Sequence, residues 1–255
     1  MDFLTISNIH HTYFTKDSAK TALEDITLSI KEGEFVSFLG PSGCGKTTLL
    51  SIISGLITPT SGKVEIENKP VNRTHSSIGY MLQEDYLFPW KTIKENILVG
   101  LKTMNILDGE NEKKALSLLK EIGLSGVEES YPKQLSGGMR QRAALVRTLT
   151  TNPKILLLDE PFSALDFQTK LKLEDLVSTT LKDYNKTALL VTHDIGEAIA
   201  MSDKIFLLSA NPGKVAKVFD IPKELKDLLP FEARQHPEYS SLFQEIWKEL
   251  DQFEA

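Results

Sequence analysis

Cysteine is almost missing from this chain: Cys44 is the one thiol in 255 residues. An intrachain disulfide is therefore impossible, and the usage agrees with a reducing compartment. Long apolar runs are missing too. The best ones, such as Ile155–Leu158 and Ala188–Val191, are strand-sized, far short of the roughly twenty residues a membrane-spanning helix needs. The start, MDFLTISNIHHTYF, lacks the basic opening and apolar stretch of a signal peptide. A basic surplus is absent, since the net charge is −6. That leaves no broad electrostatic footprint for DNA or RNA, and no nucleic-acid partner is expected. There is no low-complexity tract and no internal repeat. With 41% hydrophobic and 25% charged residues, the chain reads as an ordinary globular protein. If it serves a membrane, it must do so through a partner.

Strand and helix signals alternate along most of the sequence. Phe3–Ile9 and Ile26–Ile30 predict antiparallel strands, and Glu34–Leu39 is an apolar run that ends in glycine. A helical pattern follows Lys46 and stops at Gly55, a turn at Thr60–Gly62 leads into a short strand at Lys63–Glu67, and Ser77–Leu82 predicts another. From about Thr92 to Thr151 the patterns are helical (Lys113–Ile122, Gly138–Leu149), which predicts a helical subdomain inserted into a sheet domain. Buried-strand runs return at Ile155–Leu158, Thr187–Val191 and Ile205–Leu208, with a helix predicted between the first two. Strand, helix, strand in that order argues for a largely parallel α/β sheet. The expected division is a core of about 1–91 and 152–220, the helical part 92–151, and an extension 221–255.

Gly40–Thr47, within GPSGCGKTT, fits the phosphate-loop pattern G-x-x-x-x-G-K-S/T, between a strand and a helix as the chemistry requires. Gly40, Gly43 and Gly45 let backbone N–H groups converge on phosphate oxygens, and the helix start adds partial positive charge. Lys46 can bridge the outer phosphates and Thr47 can ligate Mg²⁺. The run ILLLDE, Ile155–Glu160, delivers two carboxylates at the end of a buried strand, where α/β ligands sit. Asp159 is placed for the Mg²⁺ shell and Glu160 for the attacking water. On its own, such a run could equally be a strand entering a solvated turn.

A second glycine-rich run, LSGGMRQR at Leu135–Arg142, could in isolation be a plain helix N-cap. It resembles the signature motif of ATP-binding-cassette (ABC) ATPases, and the resemblance extends over nearly the whole chain. Tyr13 lies where that family stacks an aromatic on adenine, and residues 40–48, including Pro41, Ser42, Cys44 and Thr48, match its phosphate loop. Gln83 matches its Mg²⁺- and water-sensing glutamine, Ser163–Asp166 its dimer-contact loop, with Asp166 at the contact, and His193 its switch histidine. The resemblance implies a P-loop ABC cassette, with a mostly parallel core sheet, an N-terminal antiparallel β-subdomain and an inserted helical subdomain. It implies hydrolysis of ATP with Mg²⁺, catalysed by Glu160, His193 and Gln83. Ser136, Gly137 and Gly138 would serve the ATP held by a second, head-to-tail subunit, an identical copy being the simplest partner.

After Gln83 comes EDYLFPW, Glu84–Trp90, which reads either as subdomain core or as a docking groove. The family resemblance implies that Leu87, Phe88 and Trp90 receive a short helix of a membrane permease, on the cytoplasmic side of the membrane. QEDYLFPW, the methionine of LSGGM and SANPGKV at Ser209–Val215 resemble importers of nitrate, sulfonates, taurine or vitamin precursors. An extracytoplasmic solute-binding protein would then be an indirect partner. Export or a nucleic-acid-associated role is the alternative. Cassettes acting on chromosomes usually carry a long coiled coil, and translation factors usually carry two cassettes; neither is seen here. Pro237–Leu250 predicts a short amphipathic helix packed on the core.

Overall fold

The computed structural model describes residues 2–71 and 77–253. In chain order the elements are β1 (Asp2–Phe14), β2 (Ala19–Lys31), β3 (Phe35–Leu39), α1 (Lys46–Ile53), β4 (Ser61–Ile66), β5 (Lys69–Pro70) and β6 (Ile78–Met81). Helices follow: α2 (Ile93–Ile97), α3 (Val99–Thr103), α4 (Gly109–Glu121), a single 3₁₀ turn at Pro132–Gln134, and α5 (Gly137–Leu149). The chain then returns to β7 (Ile155–Asp159), α6 (Phe167–Asp183), β8 (Thr187–Val191), α7 (Ile195–Met201), β9 (Lys204–Ser209) and β10 (Lys214–Asp220). Three helices close it: α8 (Lys223–Lys226), α9 (Pro230–Ala233) and α10 (Pro237–Asp251).

One sheet is antiparallel, in the order β2-β1-β4-β5; the other is β10-β9-β3-β8-β7-β6. In the second sheet every pairing is parallel except β9 with β10. The strands of the hairpin β1–β2 run well beyond the predicted Phe3–Ile9 and Ile26–Ile30. Their ladder continues through exposed pairs such as Tyr13 with Lys20, where hydrogen bonding rather than burial extends the strands. β10 escapes an apolar-run reading because it is a half-exposed edge strand, KVAKVFD, covered on one side only.

The continuous apolar runs have a simple cause. On β7, Leu156 and Leu158 pack with the helices α2, α4, α5 and α6. Ile155 and Leu157 point the other way, against α1 and the antiparallel sheet. Both faces are covered, so the two-residue alternation carries no polar residue. Burying each such leucine or isoleucine side chain contributes about 1.5–3 kcal/mol. The expected packing of the C-terminal helix is present: Ile246 is fully buried with Leu39, Ile199 and Leu207.

The residues after β10 are also pinned by polar contacts to α6. Phe231 N–H donates to Asp175 Oδ1 at 2.9 Å, and Lys182 Nζ donates to the Lys226 carbonyl at 2.8 Å. Arg234 Nη1 lies 2.6 Å from Glu174 Oε2, an ion pair short of good hydrogen-bond alignment. Glu174 is fully buried on the inner face of α6. Burial pushes its carboxyl up to about 7, against the lowering effect of Arg234. The folded state therefore holds this proton more tightly than the unfolded chain does. The associated stability is complete below about pH 4.5 and is lost as pH rises through about 7. Glu174→Gln removes the titration. The stability of the natural chain relative to this variant should fall between pH 4.5 and 8, by on the order of 3 kcal/mol. Denaturant unfolding at a series of pH values measures this, and a constant difference would contradict it.

Candidate functional site

The loop after β3 curls because glycine allows it. Gly45 has φ +94 and caps α1, and a Cβ there would lie 2.7 Å from Leu23 Cδ2. Gly43 has φ +79 and would meet nothing within 4 Å, so this side of the loop is open. Cys44 has no exposed surface, so its side chain fills space while the backbone shapes the loop. Lys46 is itself buried, and its Nζ donates to the carbonyls of Gly40 (2.6 Å) and Pro41 (3.1 Å). Tyr13, on β1, is 43% exposed, and its hydroxyl lies 3.2 Å from Thr48 Oγ1 at the start of α1. A ring placed there borders the loop, with His11 edge-on behind it at 4.6 Å.

Parallel pairing sets the C-terminal ends of β3, β7 and β8 side by side, which brings the loop, the carboxylates and the histidine together. Thr47 Oγ1 donates to Asp159 Oδ1 at 3.3 Å. Asp159 is 1% exposed, and its Oδ2 has no partner among the described residues. Burial pushes this carboxyl above its ordinary range, with the Thr47 bond opposing. An orphaned carboxylate oxygen beside a hydroxyl is a hard donor set that suits Mg²⁺, which takes few protein ligands plus water and phosphate.

Glu160 is held unusually. Its φ of +48 places a non-glycine residue in the left-handed region, at a cost on the order of 1–3 kcal/mol. Its N–H donates to the Val191 carbonyl at 2.9 Å. Its carbonyl accepts from Ser163 N–H (3.3 Å), Ser163 Oγ (3.0 Å) and Gln141 Nε2 (3.1 Å). The side chain sits between two groups: Gln83 Nε2 donates to Oε2 at 3.2 Å, and His193 Nδ1 lies 3.3 Å from Oε1. A cavity of about 120 Å³ opens beside Glu160, His193 and Ser163. Of the three residues expected to catalyse, Glu160 thus contacts both of the others, with His193 on the solvent side.

Behind the histidine, Lys170 of α6 is bonded to Asp194 (2.6 Å) and Glu197 (2.5 Å), and Thr192 Oγ1 donates to Glu197 at 2.5 Å. Burial works against the charge on Lys170, yet the two carboxylates outweigh it and the net shift is upward. Sequence reasoning missed Lys170 and Glu197. They lie far apart in the chain, and no spacing rule joins them.

Ser136 caps α5, its Oγ accepting from Met139 N–H at 3.3 Å, and Ser136 and Gly137 are exposed. The N–H groups of the first helical turn have no partner within the helix. A Cβ on Gly138 would meet Leu165 and Ala164, and no atom of residues 40–48 would lie within 4 Å of a Cβ on Gly137 or Gly138. Gly137 and Gly138 of this chain are thus not in contact with its phosphate loop. Asp166 caps α6, its Oδ1 accepting from Thr169 N–H at 3.0 Å.

The aromatic segment divides. Trp90 is 70% and Tyr86 59% exposed, with Phe88 half-buried at 5.5 Å between ring centres from Trp90. Leu87, expected on the same surface, is instead buried in the helical core beside Leu135 and Leu98. The turn forces this: Tyr86 has φ +41, which sends the next side chain inward. Asn96, fully buried, holds the turn through Phe88 N–H and the carbonyls of Phe88, Lys91 and Thr92. Arg147 donates to the Asp85 and Tyr86 carbonyls, and Arg140 Nε to Asp85 Oδ2. None of these clamps is visible as a motif.

Known proteins resemble this chain in sequence and in fold. Residues 23–163 match the ABC transporter family. A Bacillus subtilis relative named as an uncharacterized ABC transporter ATP-binding protein, YtlC, is 62% identical over 100% of this chain and 98% of its own length. The aliphatic sulfonates import ATP-binding protein SsuB of the same organism is 39% identical, covering 98% of this chain and 95% of its own. The taurine import ATP-binding protein TauB of Yersinia pestis is 42% identical over 78% of each chain. Among solved structures, the dimeric post-hydrolysis state of the ATP-binding cassette MJ0796 with ADP and Pi superposes with a TM-score of 0.78 at 35% identity. It covers 86% of this chain and 99% of that one. With the loop, the paired carboxylates and the glycine-rich helix start in place, the chain belongs to the ABC transporter family as an ATP-binding cassette that hydrolyses ATP.

Proposed function

We propose that this cassette powers uptake of a small solute of the nitrate, sulfonate, taurine or vitamin-precursor type through a separate membrane permease. The observation that carries the reading is similarity along almost the full chain to a protein named as an importer of aliphatic sulfonates. Two copies work head to tail. Tyr13 stacks on adenine, and the backbone of residues 40–45 with Lys46, Thr47 and Thr48 takes the phosphates. Lys46 exchanges its bonds to the Gly40 and Pro41 carbonyls for phosphate oxygens. Thr47, Asp159 and Gln83 serve Mg²⁺, which when bound neutralises phosphate charge. Glu160, kept in place by Gln83 and His193, orients and deprotonates the attacking water.

Ser136, Gly137 and Gly138 serve the ATP of the second subunit, and the segment ending at Asp166 lies against that subunit. Closure then requires ATP at both sites, and hydrolysis removes the phosphate that joins them. Phe88 and Trp90, with the exposed Tyr86, receive a short permease helix. No helix among the described residues is long and apolar enough to cross a membrane, so attachment at the cytoplasmic face runs through the permease. The solute-binding protein meets the permease, not this chain.

Glu160→Gln should keep MgATP binding, lose turnover by about 10²–10⁴-fold and accumulate dimer in light scattering. Normal turnover would place the base elsewhere. Mixed dimers test the head-to-tail arrangement. Lys46→Ala and Ser136→Ala on separate chains damage one site and spare the other, whereas both changes on one chain damage both sites. Higher ATPase activity is expected in the first case, and the reverse order would mean that each chain forms its own complete site. Trp90→Ala should abolish co-purification with the permease, and undiminished co-purification would move the docking surface elsewhere.

A further inference from the structure

We propose that Gln141 is a positioning residue that joins the glycine-rich helix start of this chain to the catalytic backbone of the same chain. Gln141 lies on α5, just over one turn beyond its Ser136 cap, and is 4% exposed. Its amide is used at both ends. Nε2 donates to the Glu160 carbonyl at 3.1 Å and reaches Ser163 Oγ at 3.5 Å, while Oε1 accepts from Ala164 N–H at 3.1 Å. One buried side chain therefore fastens α5 to both sides of the turn that carries Glu160.

The attachment point matters because of the backbone there. Glu160 sits in the left-handed region, and the two peptides that flank its Cα together set the direction in which its side chain leaves the backbone. Glu160 is gripped on both sides of its Cα, the preceding peptide by Val191 through the Glu160 N–H and the following peptide by Ser163 and Gln141 through the Glu160 carbonyl. Rotating the following peptide, which Gln141 holds, would shift the Glu160 Cα and so its carboxylate relative to Gln83 and His193. The start of α5 meets the partner's nucleotide under the function proposed above, on which this inference rests. Movement of α5 when that nucleotide engages or departs then reaches Glu160 through Gln141. Each active site is informed of its neighbour within a single polypeptide.

An amide is required. Glutamate at this position keeps the acceptor for Ala164 but sets a carboxylate against the Glu160 carbonyl, and methionine fills the space with neither bond. The test uses the full-length chain and measures steady-state ATP hydrolysis, MgATP affinity by equilibrium dialysis, and thermal unfolding. Gln141→Met and Gln141→Glu should each lower kcat by about tenfold or more while the MgATP Kd stays within about twofold. Unfolding midpoints should stay close to that of the natural chain. Wild-type kcat in both variants would overturn the proposal, as would parallel loss of nucleotide affinity and thermal stability, which marks a merely structural residue. If neither variant is soluble, Ser163→Ala decides. This exposed residue gives up one of the three donors to the same carbonyl, its hydroxyl, and with it the second contact of Gln141, while its own N–H and Gln141 Nε2 stay in place; kcat should fall by about threefold or more at unchanged Kd, and an unchanged kcat counts against the role of the carbonyl. Glu160→Gln is run in parallel. If it hydrolyses ATP normally, the catalytic assignment of Glu160 fails and this inference with it. If it is inactive while the Gln141 variants are normal, this inference alone fails.

Discussion

The carboxylate of Glu160, bonded on one side by Gln83 and approached on the other by His193, is the contact around which the molecule is arranged. Its three members come from loops after β6, β7 and β8, far apart in sequence. Only parallel pairing of neighbouring strands puts those loops at one edge. The buried runs of β7 and β8 are what make the pairing stable, since both faces are covered and no polar side chain interrupts them. The apolar interior thus fixes the polar edge. Asp159 and Glu160 are the first positions at which the chain leaves that interior, so one carboxylate is trapped in it and the other is turned out by a left-handed backbone.

The second constraint is a separation. The glycine-rich start of α5 is exposed, and its glycines make no contact with the phosphate loop of their own chain. α5 nonetheless reaches the rest of the site by its sides. Gln141 holds the Glu160 turn, while Arg140 and Arg147 hold the segment that presents Trp90. Under the proposed function, a helix whose start is exposed and whose flanks hold both the catalytic turn and the aromatic surface would link three events: closure with a partner, hydrolysis and contact with a permease.

Much of this was legible in the sequence, for physical reasons. The phosphate loop is readable because its glycines and lysine must occur at fixed spacing for the backbone to curl. The parallel sheet is readable because strands covered on both faces must be uniformly apolar. Other features left no local pattern. β10 is half-exposed and carries too few apolar residues to register, and α7 is short, its seven residues all buried. Leu87 looked like surface because it stands between aromatics, but the positive φ of Tyr86 turns it inward. Gln141, Lys170, Asn96 and Arg147 act through contacts between distant segments, and a polar residue in a helix looks the same in sequence whether it faces water or a buried carbonyl.

The central claim is that nucleotide is clamped between two chains, each offering Ser136 to the other's triphosphate. The most direct measurement is a structure of the chain with Mg²⁺ and a non-hydrolysable ATP analogue. The account requires two copies head to tail, with Ser136 Oγ of each within hydrogen-bonding distance of the outermost phosphate bound by the other. A nucleotide-loaded chain whose Ser136 faces only solvent, or whose own Ser136 reaches its own phosphate, would contradict it.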